Sequence, residues 1–496
     1  MPRPILFFLG VMNVTELILW VNAEINRVVW GPPMIFMLIG TGIYFTVKTG
    51  FFQIRMFGYI FKNTAGSLFR KTGRNQKKGG ISPFQAVSTA LASTVGTGNI
   101  VGVATAIVAG GEGAVFWMWV SAFFGMMTKY TEVVLAVHFR QTGKDGIHYG
   151  GPMYYIEKGL HQKWLARVFA FFCIIACFGV GNIVQSNSIA AAVKNTFRVP
   201  HLLTGIVTAA VISLVIVGGI RRISGVAEKL VTFMAVFYVA GGTLALVLNA
   251  SRLPGAFHMI FSNAFSFSSA GGGISGYAIA RAMRFGVARG IFSNEAGLGS
   301  SPIAHAASNA ESPVKQGVWG IFEVFVDTFV ICTITALVII TSDLVTDPPI
   351  FDGASLTSAA FTAHLGPIGG LFITVAVVLF ALTTLLGWSY YGLSCLTYLA
   401  GDKKAVKSVY KALYILGVIV GSISAVSSVW EISDTLNGLM AIPNLIALAG
   451  LGEIAVLLTK KEFRRRKSFP QISRADGYVP KSRACPGDRR PPAPPM

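Results

Sequence analysis

Long apolar runs separated by short polar stretches repeat along the whole chain, at 31–48, 85–110, 114–137, 166–194, 203–220, 229–249, 277–304, 316–341, 369–397, 408–429 and 436–459. Each is close to or above the roughly 20 residues that carry a helix across the hydrocarbon of a bilayer. The runs are continuous and do not alternate, so they predict helices and exclude a β-barrel. Residues 5–20 are apolar too, but Asn13 and Glu16 interrupt them. They read as an interfacial helix rather than a twelfth span. Arg3 and the apolar run after it lead to no A-x-A cleavage site, so no signal peptide is expected. The pattern predicts an all-α, polytopic membrane protein with about eleven spans.

Composition sharpens this. Of 496 residues, 53% are hydrophobic and 12% charged, where a soluble domain carries about 25% charged residues. A soluble enzyme, a disordered scaffold and a coiled coil are excluded. The net charge of +20 would suggest a nucleic-acid partner in a soluble protein, but its distribution says otherwise. If 85–110 runs from inside to outside, 32 of the 41 Lys and Arg fall in loops on the inside. Lys194, Arg198 and Arg252 alone fall in loops on the outside, and the outer loop 342–368 holds Asp343, Asp347 and Asp352 with no Lys or Arg. This follows the positive-inside rule. It predicts a multi-pass protein of the inner (plasma) membrane, with the N-terminus outside, the C-terminus cytoplasmic, a lipid surround and no nucleic acid. The tail after 460 is basic, and 468–496 holds seven Pro; it reads as a disordered cytoplasmic segment able to touch anionic lipid. The five Cys form no disulfide or metal pattern, and Cys173, Cys177, Cys332 and Cys395 read as small hydrophobes within spans, leaving Cys485 in the tail.

Two spans are interrupted. In 85–110, Gly96 and Gly98 stand at the midpoint among Ser93, Thr94, Thr97 and Asn99. Glycine costs about 1 kcal/mol in a helix interior relative to alanine, and hydroxyls compete for backbone bonds. In 277–304, Gly297, Gly299 and Pro302 break the pattern beside Ser293, Asn294 and Glu295. Counted from 85–110, these are the first and sixth of ten spans, where five-plus-five inverted repeats place their discontinuous helices. The chain divides accordingly into an N-terminal part (1–84), a first repeat (85–250), a second repeat (251–460) and the tail (461–496). A broken helix offers free N–H groups, which suit a carboxylate, and free carbonyls, which suit a small hard cation such as Na⁺. Close helix packing is the plainer use of such glycines, but two polar breaks in matching places favour a binding site.

Other polar residues inside spans are candidates to complete it. Thr383 and Thr384 could add hydroxyls to a cation site, and Trp388 shares a helix face with Thr384. Asn182 and Gln185 could face the cavity, or act as glue between helices. The charges Lys129, Glu132, Glu295, Glu323 and Asp327, with Arg281, Arg284 and Arg289, are functional candidates by default. No P-loop, H-E-x-x-H or G-x-S-x-G is present, so no enzyme is expected. The second reading on the same scaffold is an ion channel, which would need one continuous lined pore; a third is an amino-acid sensor.

The chain resembles the alanine/glycine:cation symporters of bacteria and archaea (sodium:alanine symporters). The matching stretches include Trp30-Gly-Pro-Pro-Met34, Ala90-Leu-Ala-Ser-Thr-Val-Gly-Thr-Gly-Asn-Ile100, Tyr149-Gly-Gly-Pro-Met153, Gly181-Asn-Ile-Val-Gln185, Arg289-Gly-Ile-Phe-Ser-Asn-Glu-Ala-Gly-Leu-Gly-Ser300 and Gly387-Trp-Ser-Tyr-Tyr-Gly392. The resemblance covers the chain to about 460 and not the Pro-rich tail. It implies a leucine-transporter-like five-plus-five fold with one extra N-terminal span. It implies import of a small neutral amino acid, alanine or glycine, with Na⁺ or H⁺ as coupling ion and no cofactor, by a protein expected to be monomeric. Carried to matching positions, Thr97, Gly98 and Asn99 would hold the substrate carboxylate. Thr384 and Trp388 would shape the pocket. Thr94, Val95, Thr383 and Thr384 would hold Na⁺. Ser293, Asn294, Asn182 and Gln185 complete the expected substrate site.

Overall fold

The computed structural model describes residues 14–68, 80–143, 146–265, 272–346, 350–351, 353–424 and 426–467. Most of the expected N-terminal interfacial segment, part of the basic loop before 85, Asp347 and Asp352 of the outer loop, and the tail from 468 with Cys485 lie outside the described residues.

The described residues begin with α1 (Val14–Val29) and α2 (Pro32–Lys48). The bend between them is at Trp30–Gly31, because Pro32 and Pro33 start a new helix with amides that need no partner. Taken through the bend, Leu19–Lys48 is apolar enough to cross a membrane. The extra span therefore begins about a dozen residues before the expected 31, within the segment expected to be interfacial. The sequence pattern was broken by polar side chains that find partners in the fold, locally in the Arg27–Glu24 pair at 2.6 Å and at long range in Asn26, which reaches Thr435 at 3.1 Å.

The first interrupted span is α3 (Pro83–Thr94), a short 3₁₀ turn (Thr97–Asn99) and α4 (Val101–Gly110). Ser82 and Gln85 form a reciprocal capping box at its start, at 3.0 and 3.1 Å. There follow α5 (Gly113–His138), α6 (Lys163–Phe197), α7 (His201–Ile216) and α8 (Gly219–Leu248). The second interrupted span is α9 (Gly272–Asn294) and α10 (Pro302–Ala306). Then come α11 (Pro313–Thr341), α12 (Pro367–Ala400), α13 (Lys404–Ile423) and α14 (Val426–Lys467). Among the described residues eight helices are long and apolar enough to span; α4 and α7 are apolar but shorter, and α9, at 23 residues, is long enough but not among the eight. One two-stranded pair, Gln141–Thr142 with His148–Tyr149, ties down the loop after α5.

Two spans carry π-helical turns: Gly179–Ile183 within α6 and Phe325–Cys332 within α11. Such a turn holds an extra residue and shifts the helix face beyond it. Asp327 and Thr335 are eight positions apart, which at about 100° per residue leaves them about 80° out of line in a plain α-helix. One residue absorbed by the wide turn brings them to within about 20° of a common face. Both indeed bond Asn99.

Candidate functional site

The first break begins where Val95 leaves the helix with ψ 92°. Gly96 is fully extended (φ −138°, ψ −156°), and its amide donates to Asn99 Oδ1 at 2.8 Å. The turn is held from outside the helix: Thr335 Oγ1 donates to the Asn99 carbonyl at 2.8 Å and Thr357 Oγ1 to that of Ile100 at 3.0 Å. Gly96 is required here by proximity, since a Cβ would stand 2.5 Å from Thr384 Oγ1.

The second break starts at Glu295, which takes a left-handed φ of 55°, followed by Gly297 (90°) and Gly299 (80°). These two glycines adopt a conformation that side chains resist. Asn294 Oδ1 accepts the Ala296 amide at 3.0 Å and Asn294 Nδ2 donates to Thr328 Oγ1 at 3.1 Å. Ser300 Oγ donates to Glu295 Oε2 at 2.6 Å, and Asn444 Nδ2 donates to the Gly297 carbonyl at 2.9 Å.

The two breaks meet. Asn99 Nδ2 donates to Asp327 Oδ1 at 2.6 Å, and Ser293 Oγ donates to the same carboxylate at 2.9 and 3.0 Å. Thr328 Oγ1 adds a third donor at 2.9 Å. Asn99, Ser293, Asp327 and Thr328 are all buried. A buried carboxylate survives only with such donors. Phe292 lies over Gly98, where a Cβ would meet its ring at 3.2 Å. Phe292 packs on Trp430 with centroids 5.6 Å apart. Arg289 sits 5.6 Å above Phe292 and pairs with Asp434 at 2.9 Å. A stack of ion pair, aromatics and broken backbone thus leads from one end of the bundle to its centre. At the opposite end, Ile81 pairs with the chain after α10, donating to the Ala307 carbonyl at 3.1 Å and accepting from Asn309 at 2.8 Å. Arg140 donates there to the carbonyls of Ser308 and Ala310 at 2.6 and 2.9 Å.

The predicted residues fall into groups. Thr97, Gly98, Asn99, Ser293 and Asn294 are at or beside the meeting point, and Thr97 Oγ1 is buried with no hydrogen-bond partner. Thr384 lies against Gly96 while donating to its own helix at Phe380 (2.9 Å). Thr94 is likewise back-bonded, to Ala90 at 3.2 Å. Thr383 donates to the same Phe380 carbonyl at 2.8 Å, with Met234 Sδ on its other side at 3.4 Å. Trp388 is buried with Nε1 unpaired, against Gly181, where a Cβ would stand 2.3 Å from that of Trp388. Asn182 donates to the Tyr414 carbonyl at 2.7 Å, toward α13, and Gln185 to the Val180 carbonyl at 3.0 Å. Their carbonyl oxygens, Asn182 Oδ1 and Gln185 Oε1, stay unpaired. The sequence marks Asp327 as a functional candidate able to balance a cation or carry a proton; its joining of both breaks rests on contacts with Asn99 and Ser293 that leave no simple sequence signal. Phe292 and Asn444 were missed, although an Asn beside Pro443 inside an apolar run is a legible oddity.

Two broken helices crossed at the bundle centre, their polar edges joined on one buried carboxylate, define a secondary transporter. The chain belongs to the sodium:alanine symporter family, which it matches over residues 15–473. It is 48% identical to the sodium/alanine symporter AgcS of Methanococcus maripaludis over 90% of this chain and 97% of that one. An uncharacterized transporter of Haemophilus influenzae is 45% identical over 90% and 96%. The probable sodium/glutamine symporter GlnT of Bacillus subtilis is 38% identical over 89% and 90%. Among solved structures, MhsT in complex with L-phenylalanine superposes with a TM-score of 0.52 at 14% identity, over 78% of this chain and 99% of that one. The fold is leucine-transporter-like, with one span before the ten-span core.

Proposed function

We propose that this protein imports a small neutral amino acid, alanine or glycine, together with Na⁺ by alternating access. The observation that carries the reading is the junction of Asn99 and Ser293 on Asp327, which couples the two broken helices. In this reading Thr97, Gly98 and Asn99 receive the carboxylate at the start of α4, where backbone N–H groups favour an anion. Ser293 and Asn294 face it from the second break, and Thr384 and Trp388 bound the small pocket, with Asn182 and Gln185 behind Trp388. Na⁺ is held by hydroxyls and carbonyls of Thr94, Val95, Thr383 and Thr384. The named relatives, sodium symporters of alanine and of glutamine, support both the ion and the substrate class. The protein works as a monomer in the plasma membrane with its N-terminus outside and C-terminus inside, a sense supported by the charge asymmetry of the loops. The membrane potential, about 2.3 kcal/mol per charge per 100 mV, then adds to the Na⁺ gradient. Uptake of labelled alanine into proteoliposomes tests this. An inward Na⁺ gradient is expected to drive accumulation, and uptake indifferent to both Na⁺ and H⁺ gradients would overturn it.

A further inference from the structure

Beside the second break lies a set of buried charges that the transport site does not use. Lys129 and Glu132 on α5, Glu323 on α11 and Glu295 in the break are all buried. Three carboxyl groups share one ammonium, so fully ionised the set would be short of positive charge by two, or by one with a protonated His305. Glu323 is fully provided for. Lys129 Nζ stands 3.5 Å away, Ser301 donates at 2.8 and 3.1 Å, and His305 Nε2 contacts it at 2.8 Å while the other ring nitrogen, Nδ1, meets Gln316 at 2.9 Å. Glu295 has Ser300. Glu132 is different. Its Oε1 accepts from Asn444, which is also bound by the Tyr155 hydroxyl, but Oε2 completes no hydrogen bond.

A second unpaired oxygen stands on the same stripe of α5. Thr128 Oγ1 is buried and has no partner. Its neighbour Thr131 does what a span threonine usually does, donating to the carbonyl four residues back at 2.9 Å; Thr128 does not. Gly125, Thr128 and Glu132, at i, i+3 and i+7, run along the second break. A Cβ at Gly125 would stand 3.1 Å from that of Ala296, and one at Gly297 would stand 3.8 Å from Thr128 Cγ2. The Gly297 backbone N–H is directed at the Glu132 carboxylate without completing a well-formed hydrogen bond to Oε2. Unpaired hydroxyl and carboxylate oxygens on one buried stripe, in a region short of positive charge, are hard ligands for a small monovalent cation.

We propose that Thr128 Oγ1 and Glu132 Oε2, under the turn at Gly297, form a second Na⁺ site distinct from the hydroxyls around the first break. The site rests on the symport reading and adds one Na⁺ to each cycle. It gives the second broken helix its own ion, seated against the backbone that must move for access to alternate.

The test is the ratio of ²²Na⁺ to labelled alanine taken up by proteoliposomes containing the full chain. Glu132→Gln is expected to lower the ratio by one Na⁺ per alanine. Thr128→Val is expected to keep the ratio but raise the Na⁺ concentration for half-maximal uptake about tenfold, the scale on which one supporting group changes a metal site. Both variants keeping the parent's ratio and Na⁺ dependence would overturn the site. A Glu132→Gln protein that loses coupling to pH and not to Na⁺ would overturn it as well. If Glu132→Gln fails to insert, Thr128→Val decides alone, and an unchanged Na⁺ dependence refutes the proposal. A parent without any Na⁺-driven uptake would instead refute symport itself.

Discussion

Gly98 carries the sharpest consequence of a single atom. The ring of Phe292 is already 3.2 Å from where a Cβ would sit, so Gly98→Leu is expected to abolish alanine uptake while the protein still inserts in the membrane; wild-type uptake would remove Gly98 from the site. Thr384 offers a gentler change. Its hydroxyl lies against Gly96, and Thr384→Val keeps the volume while deleting one oxygen. A several-fold rise in the Na⁺ requirement is expected, read from uptake against Na⁺ concentration, and no change would take Thr384 off the cation list. At this scale the sequence was most informative for the glycines, because their cost in a helix makes their position meaningful. It was least informative for Thr383 and Thr384. Neighbours in a helix point about 100° apart, and only the packed structure shows that Thr384 meets Gly96 while Thr383 meets Met234.

Among elements, the break in α3–α4 is imposed from both ends. The capping box at Ser82 fixes where α3 begins, and Thr335 and Thr357 hold the carbonyls that the break releases. Ser82→Ala is expected to cost about 1 kcal/mol, seen as a lower midpoint in thermal unfolding of the detergent-solubilised protein, with little change in affinity for alanine. Asp327→Asn keeps the shape but weakens the charge-assisted bonds from Asn99 and Ser293. Each such bond is worth roughly 1.5–3 kcal/mol, so transport is expected to fall at least tenfold; near-normal uptake would mean the two breaks do not act together through this residue. Both interrupted spans were legible from Gly, Pro and hydroxyl placement. The π turn at Phe325–Cys332 was not, since Asp327 within it and Thr335 beyond it both bond Asn99, more than 220 positions away in the chain. The start of the extra span was also hidden, because polar residues of α1 find partners on α14 that a single helix pattern cannot reveal.

Across the whole molecule, the two ends of the central stack are closed by different means. One end has backbone pairing between Ile81 and the Ala307–Asn309 segment, reinforced by Arg140. The other has one ion pair, Arg289–Asp434, whose side chains are 16% and 15% exposed, above the Phe292–Trp430 contact. The second closure is expected to open more easily. In an Asp434→Asn background, a cysteine placed at Phe292 should react several-fold faster with a membrane-impermeant thiol reagent added outside than in the parent; equal rates would show that the pair does not limit access. The helical bundle followed from hydropathy, whereas these closures join residues more than 140 positions apart and had no local trace.

The wide turn in α11 has a last implication, for how this helix tolerates changes in length. Because one surplus residue is absorbed in bringing Thr335 round to Asn99, excising a single residue other than Asp327 between Phe325 and Cys332 would let the segment relax into ordinary helix with Asp327 and Thr335 seven positions apart, about 20° from a common face and still turned to the first break. A residue added to α11 between that turn and Thr335 would leave the span hydrophobic enough to cross the bilayer, yet would turn it by about 100° and present the wrong edge to its neighbour.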